Sequence, residues 1–169
     1  MQTIQTSVSD LMTAPVVTIG PDALAGEVLT LAKAEGIHHF PILREGRLIG
    51  IVCTCDLQDL RPDARVQQVA WRHVVTLRPE SDAVDAARLM TSQGVGSIVI
   101  SNADGICGIV TREDLVRADP ELDQLLAEAC CVACGARKHL RPGPNGQCLC
   151  QGCHSRARDG ADLDVGGSG

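Results

Sequence analysis

Tyrosine is absent from this sequence, and Phe40 and Trp71 are the only phenyl or indole side chains. That excludes a core packed on rings. With 44% hydrophobic residues, the interior must be built from Val, Ile, Leu and Ala. No apolar run approaches the roughly 18 residues of a membrane span, so no membrane is expected as a partner. No Lys or Arg precedes Lys33 and no apolar stretch follows the start, so no secretory leader is read and a cytoplasmic location is expected. In such a compartment the nine cysteines are read as thiols or metal ligands and not as a disulfide framework. Acidic side chains are missing from residues 130–158, which hold Arg137, Lys138, Arg141, Arg156 and Arg158. Residues 1–129 carry ten basic and eighteen acidic side chains, within a net charge of −6. The main body is therefore a poor polyanion binder, and only the cysteine-rich segment is basic. No nucleophile, base and orienter stand together, and no Gly-rich loop follows a strand, so no enzyme is expected.

What is present is a repeat. Gly108-Ile109-Val110-Thr111-Arg112-Glu113-Asp114-Leu115 matches Gly50-Ile51-Val52-Cys53-Thr54-Cys55-Asp56-Leu57, fifty-eight residues earlier. The same offset sets Val17-Thr18 on Val75-Thr76, Pro21 on Pro79, Gly36 on Gly94 and Ile42 on Ile100. A gapless period of this length marks two copies of one supersecondary unit.

The first copy opens with a short helix over 8–12, capped near Ser9 or Asp10. A β-branched strand follows over 16–19. Pro21-Asp22 opens a helix with Asp22 as its cap, and Leu24, Val28, Leu31 and Ala32 form one apolar face. Gly36 ends it in a left-handed cap. Strands over 40–43 and 48–52 flank the turn Arg44-Glu45-Gly46-Arg47, and a helix begins at 56–60. The second copy repeats this with strands over 74–77, 98–101 and 106–110 and a helix ending at Gly94. The predicted fold class is α+β (α/β), two β-α-β-β-α units packed sheet to sheet around one core. Asp119-Pro120 opens one further helix, with Leu122, Leu125, Leu126 and Ala129 on its apolar face.

Both copies resemble the CBS domain family, small units that occur in tandem pairs. The carriers in the first copy are Leu11-Met12-Thr13 before Val16-Val17-Thr18-Ile19, then Gly36-Ile37-His38-His39-Phe40-Pro41-Ile42, then Gly50-Ile51-Val52 with Asp56-Leu57. In the second they are Val74-Val75-Thr76-Leu77, Gly94-Val95-Gly96-Ser97-Ile98, and Gly108-Ile109-Val110-Thr111 with Asp114-Leu115. The resemblance covers residues 8–118. The expected division is copy one at 8–60, copy two at 66–118, a connecting helix at 119–129, a cysteine module at 130–158 and a tail at 159–169.

Thr111 and Asp114 stand where a strand meets a helix. One reading is a helix cap, with Thr111 at the cap and Asp114 bonding back. The other adds a ligand: a carboxylate accepts from both hydroxyls of a ribose, and a helix start attracts phosphate. Similarity to ligand-binding CBS pairs implies the second use, for an adenosine compound such as AMP, ATP or S-adenosylmethionine. Carried over by position, one site would use Val75, Thr76, Ser97, Ile98, Thr111 and Asp114. The other would use Val17, Thr18, His39, Phe40 and Asp56, but there Cys53 replaces the hydroxyl residue and Thr54 lies one place out of register. His38 and His39 are read either as phosphate partners or as a structural pair. The resemblance also implies a homodimer.

Cys131-x2-Cys134 and Cys150-x2-Cys153 are separated by fifteen residues, the spacing of a four-thiolate structural zinc site. A rubredoxin-like iron site and a redox dithiol pair are the alternatives. Cys130, Cys148, His139 and His154 are potential substitutes as ligands. Cys53, Cys55 and Cys107 are read as small buried residues. The whole is read as a non-enzymatic regulator in which a CBS pair senses an adenine nucleotide and a zinc module contacts an unknown effector protein. Two rivals are a nucleic-acid-associated regulator acting through the basic module, which lacks aromatics for stacking bases, and a purely structural dimerisation module.

Overall fold

The computed structural model describes residues 6–127, 140–142 and 148–150. The first copy consists of α1 (Val8–Leu11), α2 (Ala25–Glu35), the strands β1 (His39–Arg44) and β2 (Arg47–Cys53), and α3 (Thr54–Leu57). The second consists of β3 (Thr76–Leu77), α4 (Ala83–Gln93), β4 (Ser97–Asn102), β5 (Gly105–Thr111) and α5 (Arg112–Ala118), with α6 (Leu122–Ala127) after it. A short hairpin, β6 (Leu140–Pro142) with β7 (Cys148–Cys150), pairs Leu140 with Cys150. The fold is α+β. Among the described residues no helix is long and apolar enough to cross a membrane.

Local chemistry explains most element ends. α2 and α4 stop at Gly36 and Gly94, both left-handed with φ of 67° and 65°. β1 and β2 are joined by Glu45-Gly46, both at positive φ, which gives a tight antiparallel hairpin. Asp82 caps α4 by accepting from Val84 N–H at 2.7 Å. The expected equivalent at Asp22 does not form. Asp22 instead takes Arg65 Nη1 at 2.8 Å, and Leu24 occupies the N-cap. Leucine has no side-chain acceptor, so that end is supported by Glu27 reaching back to Leu24 N–H at 3.4 Å and by Ala64 O and Pro62 O, which accept from Ala25 and Gly26 N–H at 2.8 and 3.0 Å. α3 also begins two residues earlier than expected, at Thr54.

The strand expected over 16–19 shrinks to a single bridge, Ile19 to Ile42. Its counterpart β3 runs parallel to β4, and Val99 N–H donates to Val75 O at 3.1 Å. The residue matching Val99 in the first copy is Pro41, which has no N–H to give. The ladder can therefore not extend back to Val17.

The single shared core expected from the sequence is replaced by two. One holds Val28, Phe40, Ile42, Val52, Leu57 and Val66. The other holds Val8, Met90, Ile98, Ile100, Val110 and Leu115, with Leu122 and Leu126 of α6. Each sheet is covered by its own helices and by a segment lent from the opposite copy, so neither needs the other sheet to bury it. Val8 N–H donates to Ser81 O at 2.8 Å, and at the matching place Val66 N–H donates to Ala23 O at 2.9 Å. Ala83 N–H reaches Thr6 O at 2.9 Å, and Ala25 N–H reaches Ala64 O at 2.8 Å. Bridges join Thr13 to Ile109 and Trp71 to Ile51. Every one of these pairs repeats at the fifty-eight-residue offset.

Candidate functional site

β5 runs straight into α5, and the junction is fixed by a reciprocal cap. Thr111 N–H and Thr111 Oγ1 donate to Asp114 Oδ2 at 2.9 and 2.7 Å, while Asp114 N–H points back to Thr111 Oγ1 at 3.4 Å. The capping reading of this pair thus holds. It leaves the second carboxylate oxygen, Oδ1, facing Arg117 Nη1 at 3.6 Å, beyond a direct hydrogen bond. The Asp114 side chain is 13% exposed.

Oδ2 is committed to the cap, and Asp114 lines a cavity of about 600 Å³, within the range of small-molecule sites. One wall comes from the first copy: Val16 and Val17, then the α2–β1 turn with Ile37, His38 and His39. The other comes from the second copy: Gly96, Ile109, Thr111 and the start of α5, with Arg112, Glu113 and Arg117. Thr13 and Pro15 close the side where the lent segment crosses. The walls therefore combine apolar Val16, Val17, Ile37 and Ile109 with four basic side chains.

These side chains are held from behind. His38 Nδ1 lies 3.2 Å from Thr54 Oγ1, and Thr54 N–H donates to His38 O at 2.9 Å. Thr54 is itself buried, so it fixes the imidazole without facing the cavity as a ligand group. A Cβ on Gly96 would lie 3.8 Å from His39 Nε2, which shows how closely that ring passes the second copy. Arg112 is anchored by its Nη2, which donates to Leu126 O at 2.7 Å near the end of α6.

Five residues named from the sequence come together: Val17, His38 and His39 of the first copy with Thr111 and Asp114 of the second. The cavity thus crosses between copies instead of lying within one. Val75 and Ile98 belong to the second core and Phe40 to the first. Ser97 is buried, Thr76 is exposed and Thr18 is half-buried. Asp56 is engaged by Trp71, whose Nε1–H donates to Oδ2 at 3.3 Å. Sequence reasoning missed Arg112, Arg117, Ile37 and Thr13. The first two flank Asp114 at −2 and +3, so charge beside the motif was a usable signal. Thr13 becomes legible only once the exchange of segments is known.

Among the described residues no group of three or more His, Cys, Asp or Glu could hold a metal. Cys131, Cys134 and Cys153 lie outside the described residues, as do Cys130, His139 and His154. Cys148 and Cys150 are the ends of β7.

A family model described as the CBS domain matches residues 8–62 and 66–121. Protein MJ0188 of Methanocaldococcus jannaschii is 30% identical over 117 residues, which span 68% of this chain but only 44% of that protein. The CBS domain pair of protein MJ0100, solved in complex with 5′-methylthioadenosine and S-adenosyl-L-methionine, superposes with a TM-score of 0.65 at 23% identity, covering 69% of this chain and 98% of that one. CBSX2 in complex with AMP gives 0.59 at 22% identity, covering 69% and 98%. With two matched segments, two homologous cores and one cavity between them, the chain belongs to the CBS domain family, as a tandem CBS pair.

Proposed function

We propose that this CBS pair is a non-enzymatic regulatory module that binds an adenine nucleotide in the cavity at Asp114. The observation that carries the reading is the division of labour on that carboxylate. Oδ2 is saturated by Thr111, and Oδ1 is left at the cavity wall to accept from a ribose hydroxyl. Val16, Val17 and Ile37 supply an apolar slot for a purine, and Arg112, Arg117, His38 and His39 supply donors for phosphate. α5 has only seven residues and Thr111 already serves its Asp114 N–H, so phosphate charge falls to those side chains and not to the helix end. The adenosine compounds bound by the MJ0100 pair and by CBSX2 support the same ligand class. Titration calorimetry with AMP, ATP and S-adenosylmethionine tests it. At least one should bind the wild type and bind Asp114→Asn more weakly. Equal affinities would remove the reading.

Residues 130–158 supply the output of this module in our reading, as a zinc ribbon held by Cys131, Cys134, Cys150 and Cys153. The spacing of the two Cys-x2-Cys pairs and the antiparallel β6–β7 hairpin ending at Cys150 support it. Four thiolates fill a tetrahedral ion, so the metal would shape a surface for an effector protein and not act as a catalyst. Protein purified without chelator should carry about one zinc per chain by mass spectrometry. A metal-free protein would overturn this part. A homodimer is part of the same proposal, checked by sedimentation.

A further inference from the structure

The internal repeat produces a second place where a nucleotide could sit, related to the Asp114 cavity by the fifty-eight-residue offset. Resting on the nucleotide reading above, we infer that this second place is closed and that each chain takes one nucleotide, at Asp114. Three observations converge. Asp56, the counterpart of Asp114, accepts from Trp71 Nε1–H at 3.3 Å. Trp71 is the counterpart of Thr13, a small residue at the rim of the Asp114 cavity, so an indole stands where the other half offers open space. Two backbone hydrogen bonds with Ile51, at 2.9 and 3.0 Å, fix the Trp71 Cα beside β2, and the ring's own tie is the Nε1–H bond to Asp56.

The basic groups of the open cavity are also not repeated. The four basic groups of the open cavity, His38, His39, Arg112 and Arg117, correspond to Gly96, Ser97, Thr54 and Asp59. Not one of the four counterparts is basic, and one is acidic. A phosphate at that place would meet Thr54 and Asp59 instead of the two guanidinium groups of Arg112 and Arg117, and the Asp59 carboxylate repels it. Cys53 in place of Thr111 further removes the hydroxyl that orients the carboxylate, and a thiol is a weak donor. Thr54, the hydroxyl one place along, is buried against His38 and serves the open cavity from behind.

Titration calorimetry of the full chain, with AMP, ATP and S-adenosylmethionine as probes, reads the stoichiometry directly. One nucleotide per chain is expected at saturation. Asp56 lies outside the cavity, so Asp56→Asn should leave both the stoichiometry and the affinity unchanged, within about twofold. Trp71→Phe keeps the ring and should also stay at one per chain. Thermal melts of both variants check that they are folded. Two nucleotides per wild-type chain, or an affinity that falls about tenfold or more in folded Asp56→Asn, would overturn the inference while leaving the Asp114 reading in place. No binding of AMP, ATP or S-adenosylmethionine to the wild type would overturn both.

Discussion

Asp114 uses its two oxygens for two purposes, and the residue pair Thr111–Asp114 lets the two be separated. In Asp114→Asn, the position facing Thr111 must still accept, because both Thr111 N–H and Oγ1 donate there. The asparagine carbonyl therefore turns toward Thr111, and its NH2 turns toward the cavity and Arg117. A donor then faces the ribose hydroxyl where an acceptor stood. Hydrogen bonds to a charged group contribute about 1.5–3 kcal/mol, so nucleotide affinity should fall roughly tenfold to a hundredfold with little change in melting temperature. Thr111→Ala reverses the proportions. It removes the cap hydroxyl, costing about 1 kcal/mol of stability, and weakens binding only through a less well held Asp114. Calorimetric titration and thermal melts on both variants check the contrast, and equal stability losses in the two would contradict it.

At the scale of elements, the decisive contacts are those where one copy's opening segment crosses the other copy's second strand. Gly108 in β5 lies directly under Met12: a Cβ there would come within 2.6 Å of Met12 Cγ and closer still to Sδ. Gly50 in β2 meets Trp71 O at 2.8 Å in the same sense. The Met12 atoms in the way include its Cβ at 2.9 Å, which moves only with the backbone, and the Trp71 carbonyl is backbone held in a bridge, so neither neighbour yields cheaply. Gly50→Ala and Gly108→Ala should therefore both destabilise, each by about 1–3 kcal/mol, as overpacking generally does. Urea denaturation of both variants measures this. The sequence displayed these glycines at matching positions, along with the helix-ending Gly36 and Gly94 and the Glu45-Gly46 turn, because turn and cap chemistry is local. It did not display the crossing, because Val8 and Val66 look the same whichever sheet they cover. Nor did periodicity find the loss of the first strand, since four β-branched residues read as a strand unless Pro41, twenty-odd residues away, is known to be the partner without an N–H.

At the scale of the whole molecule, the exchange of segments makes the two copies one cooperative body despite their separate cores. The core of the first copy needs Val66, Val69 and Ala70, which open the second, and the core of the second needs Val8 and Leu11, which open the first. This is also why the cavity joins Val17 and His39 to Thr111 and Asp114, a grouping that a copy-by-copy reading could not reach. Chain ends placed at three positions should then behave differently. A chain ending at residue 60 lacks its lent segment and should not fold. A chain ending at residue 118 loses Leu122 and Leu126, both buried, together with the Thr91 Oγ1 bond to Leu125 O at 3.2 Å and the Arg112 anchor on Leu126 O. Two buried leucines represent about 3–6 kcal/mol of gross burial, against a typical domain stability of about 5–15 kcal/mol. That chain should fold but melt well below the parent, with Arg112 released and nucleotide affinity altered. A chain ending at residue 129 keeps every residue of both cores, and should retain the cooperative melt and the nucleotide affinity of the full protein. Loss of folding on removal of 130–169 would mean that the hairpin, through Leu149, shares the core of the second copy.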